Sequence, residues 1–270
     1  MQEISAVIQS ITDDLVAALD AGAPLTAPAL RFLARRLRDT AADSIASALG
    51  LPLAAILSSR LEDEPLEARA RWLTALADAA LLSSDARIRD VGGRLAAGLQ
   101  AACTGERRVR AASVAIAALI EAGEVAGVPS VLAAVDALER VVGAAYRPGD
   151  GMSAMLDEPR DCAGAAGDQT ASAAALLAAH AATGRLPYAM LADELMQVAF
   201  RRTWDDETTA TAVHVCCGLA RLHRVHDFRA SAVISDLDYE AKADDLIAAM
   251  SAESDAATYG LALAERLDLK

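Results

Sequence analysis

Apolar residues recur at spacings of three and four along almost the whole chain, the repeat of amphipathic helices. The pattern predicts helices over 2–20, 27–38, 40–49, 52–60, 64–82, 85–102, 107–122, 129–144, 169–183, 187–203, 207–224, 228–236, 239–252 and 256–267. The punctuation agrees. Pro28, Pro65, Pro129 and Pro187 fall near predicted helix starts, and Gly22, Gly105, Gly123 and Gly184 near predicted ends. Most predicted connections are short, which makes consecutive helices antiparallel neighbours. No strict repeat exists, but a helix pair returns at intervals of roughly 35 to 45 residues, as in an α/α toroid or an open α-solenoid. The fold class predicted is all-α, built of antiparallel helix hairpins in an α/α toroid or partial toroid. Residues 1–270 are read as one domain, with possible sub-layers 1–125 and 126–270.

One stretch breaks the periodicity. Tyr146 to Gly167 carries four glycines, two prolines and four acidic residues, Asp150, Asp157, Glu158 and Asp161. A long irregular segment inside a helical chain is uncommon and often functional. It predicts at most a short hairpin in an otherwise sheet-free protein.

Composition sharpens the picture. Apolar residues are 54% of the chain but aromatics only 3%, while alanine alone supplies 66 positions. Alanine loses no side-chain entropy in a helix and lets helix axes approach closely, so helix content should exceed about 65%. The net charge is −13, so phosphate backbones and anionic membranes are repelled, and neither nucleic acid nor a membrane is an expected partner. No uncharged apolar run reaches the ~20 residues needed to span a bilayer. Met1-Gln2-Glu3-Ile4-Ser5 does not resemble a secretion signal. Cys103, Cys162, Cys216 and Cys217 form no CxxC pair and read as reduced thiols in a cytoplasm.

Several residues carry candidate chemistry. Asp168-Gln169 opens a predicted helix; Asp168 is either an N-cap or, with Gln169, part of a pocket mouth under the 146–167 segment. Trp204-Asp205-Asp206 lies between two predicted helices, either as a packed indole with a capping Asp or as part of a ligand site. Tyr146 stands at the entrance to the irregular segment. Tyr146, Asp168, Gln169, Trp204 and Asp205 are therefore the candidate ligand-binding residues. His214, Cys216, Cys217, His223 and His226 invite a metal reading, but Cys216 and His223 lie about 10 Å apart along a helix axis. One zinc cannot hold both, so neither a metal nor another cofactor is expected. Arg31, Arg35 and Arg38 form a stripe opposite Leu30, Leu33 and Leu37. It reads as a solvated face paired with acidic neighbours, or as a docking surface for an acidic partner. Nucleophile-elbow, zinc-protease, phosphate-loop and dinucleotide motifs are all missing from the sequence.

The residues from Val131 to Phe228 resemble a known family. They include Tyr146-Arg147-Pro148-Gly149-Asp150-Gly151, Asp168-Gln169-Thr170-Ala171, Thr183-Gly184 followed by Tyr188, and Trp204-Asp205. This stretch resembles the C-terminal helical part of the spermatogenesis-associated, thioredoxin-domain-containing family. That part is related to the N-acylglucosamine 2-epimerase and six-hairpin glycosidase toroids. The family's thioredoxin domain is missing, and Asp206-Glu207-Thr208 replaces the Gly-Gly-Phe loop expected after Trp-Asp. The resemblance implies a toroid and carries only Asp168, Gln169, Trp204 and Asp205 as pocket residues. Two functions follow as expectations. One is a non-catalytic or degenerate toroid binding a protein partner or small polar ligand. The other is a toroid epimerase or hydrolase acting on a sugar-like substrate. A deep pocket with two or more converging carboxylates would favour the enzyme, and a flat or leucine- and alanine-filled centre the binding protein.

Overall fold

Helix nucleation is costly, so each amphipathic stripe needs side chains that start and stop it. The computed structural model describes residues 2–123, 131–156, 164–225, 228, 236–250 and 255–269. They form helices α1 (Gln2–Asp20), α2 (Ala27–Thr40), α3 (Asp43–Leu57), α4 (Leu66–Ala80), α5 (Ala86–Cys103) and α6 (Val109–Ala122). After these come α7 (Val131–Ala145), α8 (Ala166–Thr183), α9 (Leu186–Ala199), α10 (Asp206–Arg224), α11 (Tyr239–Ala249) and α12 (Ala256–Leu267). Helix makes up 78% of the structure, so the fold is all-α as composition requires. Thr26, Asp85, Asp205, Asp238 and Asp255 each accept a backbone N–H in the first turn of α2, α5, α10, α11 and α12. Gly184 ends α8 in the left-handed conformation, its N–H donating to the His180 carbonyl. Strands β1 (Tyr146–Arg147) and β2 (Gly151–Met152) pair antiparallel within the predicted irregular segment. Residues 229–235 of the predicted helix 228–236 and residues 157–163 of that segment lie outside the described residues.

Several helix ends shift by a few residues, α9 stopping at Ala199 rather than 203, and two of the differences have a clear physical reason. The predicted helices 40–49 and 52–60 are one helix, α3, which runs through Pro52. Its buried positions Ile45, Ala48, Leu49 and Leu57 continue across the proline, and tertiary packing holds the helix where local propensity breaks it. Helix α8 begins at Ala166, three residues before the predicted start. Asp168 is thus the third residue of the helix rather than its cap, and its carboxylate accepts the Ala165 N–H from there at 2.7 Å.

The even-numbered helices pack in a cyclic order. α2 packs on α4, α4 on α6, α6 on α8, α8 on α10, α10 on α12, and α12 returns to α2. The odd-numbered helices attach to these: α5 to α4 and α6, α7 to α6, α9 to α8, α11 to α10, and α1 to α12 and α3. Residues 1–125 and 126–270 each supply three members of the cycle. Small side chains make the contacts close. Between α6 and α8, the buried Ser113 and Ser172 hydroxyls meet at 2.9 Å, amid fully buried Ala111, Ala112, Ala115, Ala173 and Ala175. Between α12 and α2, a methyl group on Gly260 would sit 2.7 Å from the buried Phe32 ring, so only glycine lets those helices meet.

Among the described residues no helix is long and apolar enough to cross a membrane. Cys103, Cys216 and Cys217 carry free thiols; Cys162 lies outside the described residues. Burial pushes the Cys103 and Cys217 thiols up to about 11 each. The reactive thiolate at pH 8 should then be roughly a hundredfold scarcer than for the same group at its ordinary value of 9.0. Modification of Cys103 and Cys217 by an aromatic disulfide reagent is therefore expected to be slow in buffer and fast in denaturant. Immediate full reaction in buffer would contradict this burial.

Candidate functional site

The cyclic packing leaves space at its centre. A cavity of about 240 Å³ is lined by at least two residues from each even-numbered helix. Alanine is the commonest residue of the wall: Ala70 from α4, Ala117 and Ala118 from α6, Ala171 and Ala174 from α8, and Ala210 from α10 are among them. Larger residues at these positions would fill the space. The small side chains that let the helices approach thus also leave the centre hollow.

The wall also carries titratable side chains: Arg31, Arg35, Arg71, Glu121, His214 and Glu265. Arg31 and Arg35, one turn apart on α2, face this interior. Arg31 reaches Asp78 of α4 at 3.2 Å through Nε and Glu121 of α6 at 3.4 Å through Nη2. Arg35 donates through Nη1 to Glu265 of α12 at 2.5 Å and lies 3.9 Å from Asp78. Glu265 also faces Nδ1 of His214 at 3.3 Å and Nη2 of Arg221 at 3.6 Å, both from α10. One network therefore ties five of the six even-numbered helices together, and α8 contributes only alanine to the cavity wall. The sequence reading of Arg31, Arg35 and Arg38 as one solvated face holds for Arg38 alone. Arg38 pairs with Asp39, both about half exposed, whereas only 17% of the Arg35 side chain is exposed. α2 is covered on both faces: Leu30, Phe32 and Leu33 enter the core while Arg31 and Arg35 enter the ion-pair network.

The network sets the charge states. Burial opposes ionisation of Glu265, but His214 and Arg35 outweigh it and hold its carboxyl far below the usual range. Burial likewise disfavours the His214 imidazolium, but Glu265 outweighs it and raises the histidine above its usual 6.5. With Nδ1 turned to Glu265, Nε2 is the ring nitrogen left for the cavity. It has no hydrogen-bond partner among the described residues.

The five sequence candidates lie elsewhere, and none lines the cavity. The Tyr146 hydroxyl donates to both Glu194 carboxylate oxygens, at 2.8 and 2.9 Å; burial and that carboxylate push its pKa up to about 12. Gln169 is fully buried and clamps Met152: Oε1 accepts the Met152 N–H, and Nε2 donates to the Met152 carbonyl, each at 2.7 Å. Trp204 packs on Phe200 with ring centroids 5.5 Å apart. Asp205 caps α10 by accepting the Thr208 N–H at 2.7 Å and lies 3.7 Å from Arg110. Burial raises the pKa of Asp168, against the pull of the Ala165 N–H and of Arg110. Asp168 and Asp205 are thus brought near one arginine, while Tyr146, Gln169 and Trp204 each serve local packing.

Comparison with protein-family models, curated proteins and solved structures found no match. The site is therefore argued from its own geometry. No group of three or more His, Cys, Asp or Glu among the described residues could hold a metal ion; His226 lies outside them. His214 faces Glu265, and its Cys217 neighbour is buried in the core. Glu121 and Glu265 escaped the sequence reading because each is a single acid near the end of an apolar helix. The one legible signal was His214, a polar residue inside the apolar run Ala212 to Leu219.

Proposed function

We propose that the chain is an α/α toroid that binds a small polar molecule in its central cavity, without catalysing a reaction. The observation that carries this is the cavity itself, ringed in cyclic order by six helices and furnished with both alanine and ion-paired side chains. The alternation of even helices in the cycle with odd helices against it supports the toroid, as does the resemblance of Val131 to Phe228. At about 240 Å³ the space lies just below the ~300–1,000 Å³ of pockets that take drug-sized ligands, which points to a compact ligand. An acidic chain with free thiols fits a cytoplasmic protein and a partner other than nucleic acid.

The carboxylates favour binding over glycoside hydrolysis. A hydrolase of that kind keeps one carboxyl protonated for the leaving group. Glu265 is held ionised by His214 and Arg35, and Glu121 pairs with Arg31. The enzyme reading rests instead on His214, whose Nδ1 is oriented by Glu265 while Nε2 stays open, the arrangement of a general acid–base.

Filling the space tests the proposal. Replacing Ala117 and Ala174 together by leucine adds bulk without touching an ion pair, and leucine suits a helix nearly as well as alanine. Compounds that raise the melting temperature of the parent should lose at least about tenfold in affinity for the double variant, with an unchanged circular dichroism spectrum. Equal binding to both proteins would put the site elsewhere.

A further inference from the structure

The hydrogen-bonding inventory of the cavity is lopsided. Arg31 uses Nε and Nη2, Arg35 uses Nη1 with Nε near Asp78, and His214 uses Nδ1. Among the described residues, Nη1 of Arg31, Nη2 of Arg35 and Nε2 of His214 carry no hydrogen bond. The charged acceptors are nearly exhausted. Both oxygens of Glu265 face cations. Among the cavity carboxylates only one oxygen of Glu121 is left. An occupant that satisfies these groups must supply acceptors.

Charge points the same way. With His214 in the imidazolium form that Glu265 favours, the network joins Arg31, Arg35, Arg221 and His214 to Asp78, Glu121 and Glu265, four cations against three carboxylates. One positive charge is left at the centre of a chain whose net charge is −13. A single negative charge completes the balance, whereas a doubly charged group would be repelled by Glu121 and Glu265. Shape adds the last constraint: beside the charged wall stands the alanine wall of Ala117, Ala118, Ala171 and Ala174.

Resting on the cavity reading above, we infer that the ligand is a small organic monocarboxylate, its carboxylate on Arg31, Arg35 and His214 and its apolar body against the alanines. Planar carboxylates match the guanidinium fork, and such charge-assisted bonds are about twice as strong as neutral ones. The neutral amide of the same acid offers one acceptor, brings donors of its own and leaves the positive charge uncompensated.

The test titrates the full chain calorimetrically with acetate, butyrate, hexanoate and benzoate, with the amide of each as neutral control, and with inorganic phosphate. At least one acid should bind at least about tenfold more tightly than its amide and than phosphate, the gap that about 1.4 kcal/mol produces. Arg31→Gln should remove that advantage; Arg31 is chosen over Arg35 because Arg35 neutralises the buried Glu265. The Ala117→Leu, Ala174→Leu double variant should abolish binding of acid and amide alike, and its unchanged helix signal separates lost space from lost fold. Amides binding as tightly as the acids, or Arg31→Gln leaving the acid unaffected, overturns the inference. If neutral compounds bind and the double variant removes them, the cavity reading stands and only the carboxylate is wrong. If no probe or library compound binds in a way the double variant abolishes, both fall.

Discussion

Replacing Glu265 by glutamine should destabilise the folded chain by about 3–5 kcal/mol, the usual consequence of removing one partner from a buried ionic network. For a chain of this size that lowers the melting temperature by roughly 10 °C. Glutamine keeps the shape and removes the charge, leaving the largely buried Arg35 and the partly exposed His214 and Arg221 facing an amide. Asp78, at 3.9 Å, remains near Arg35, but no other carboxylate in the network pairs with His214 or Arg221. The pH profile should change as well. Glu265 has a folded pKa depressed from 4.5, so its contribution is present above about 4.5 and is lost as pH falls through the folded value. His214 has a folded pKa raised from 6.5, so its contribution is present below about 6.5 and is lost as pH rises through the folded value. Parent stability should therefore decline towards both acid and alkaline pH, and the variant's profile should be flatter on both sides. Urea denaturation of the two proteins at pH 3, 6 and 9 measures this. Parallel profiles, or a loss under about 1 kcal/mol, would mean the network carries little of the folding energy.

Helix positions were legible in the sequence because the apolar period is local. Ile8 and Ile11, or Ile116, Leu119 and Ile120, announce a buried stripe whatever they pack against. Pro52 misled because its effect on α3 is decided by packing along the whole apolar face, which a local pattern does not contain. The start of α8 was displaced for a related reason. Ala165 has no side chain to cap with, and the hydrogen bond that fixes the entry comes from Asp168, inside the helix.

The site was legible only in fragments. Its charged residues lie on α2, α4, α6, α10 and α12, from Arg31 to Glu265, and no spacing rule connects them. Arg31 and Arg35 look like a solvated stripe because charged residues at i,i+4 on an amphipathic helix usually face water. Here the opposite face of the same helix is also covered, so the polar stripe turns inward to the cavity. The irregular segment drew attention through its glycines and acids, yet the residues singled out around it are occupied in holding it. Tyr146 and the Gly149 N–H share Glu194, and Met152 is held by Gln169.

That last contact gives the second large effect. Gln169→Ala should cost about 2–4 kcal/mol, although the side chain touches no charge and lines no cavity. The fully buried Met152 N–H has its hydrogen bond from this one amide, and the Met152 carbonyl accepts from it as well as from the Gly164 N–H at 3.0 Å. A buried group left unsatisfied costs about 1–3 kcal/mol, and deleting the side chain leaves a void besides. A helix-start role alone would predict almost no change, since alanine suits the second turn of α8. The surroundings are built around the clamp. Gly151 has φ +81, and a methyl group there would collide with the Gln169 side-chain oxygen Oε1, so both residues must fit together. Gln169→Glu separates hydrogen bonding from packing. Glutamate still accepts the Met152 N–H but presents a charged oxygen to the Met152 carbonyl, where the amide had donated. Its stability should therefore be low at pH 7 and recover as pH falls and the acid, once protonated, can donate again. Urea denaturation at pH 5 and 7, with hydrogen exchange at the Met152 amide, reads both effects. Exchange at Met152 should accelerate in Gln169→Ala by more than global destabilisation accounts for. An alanine variant as stable as the parent would mean that water can take over the clamp, and that this end of α8 is open to solvent.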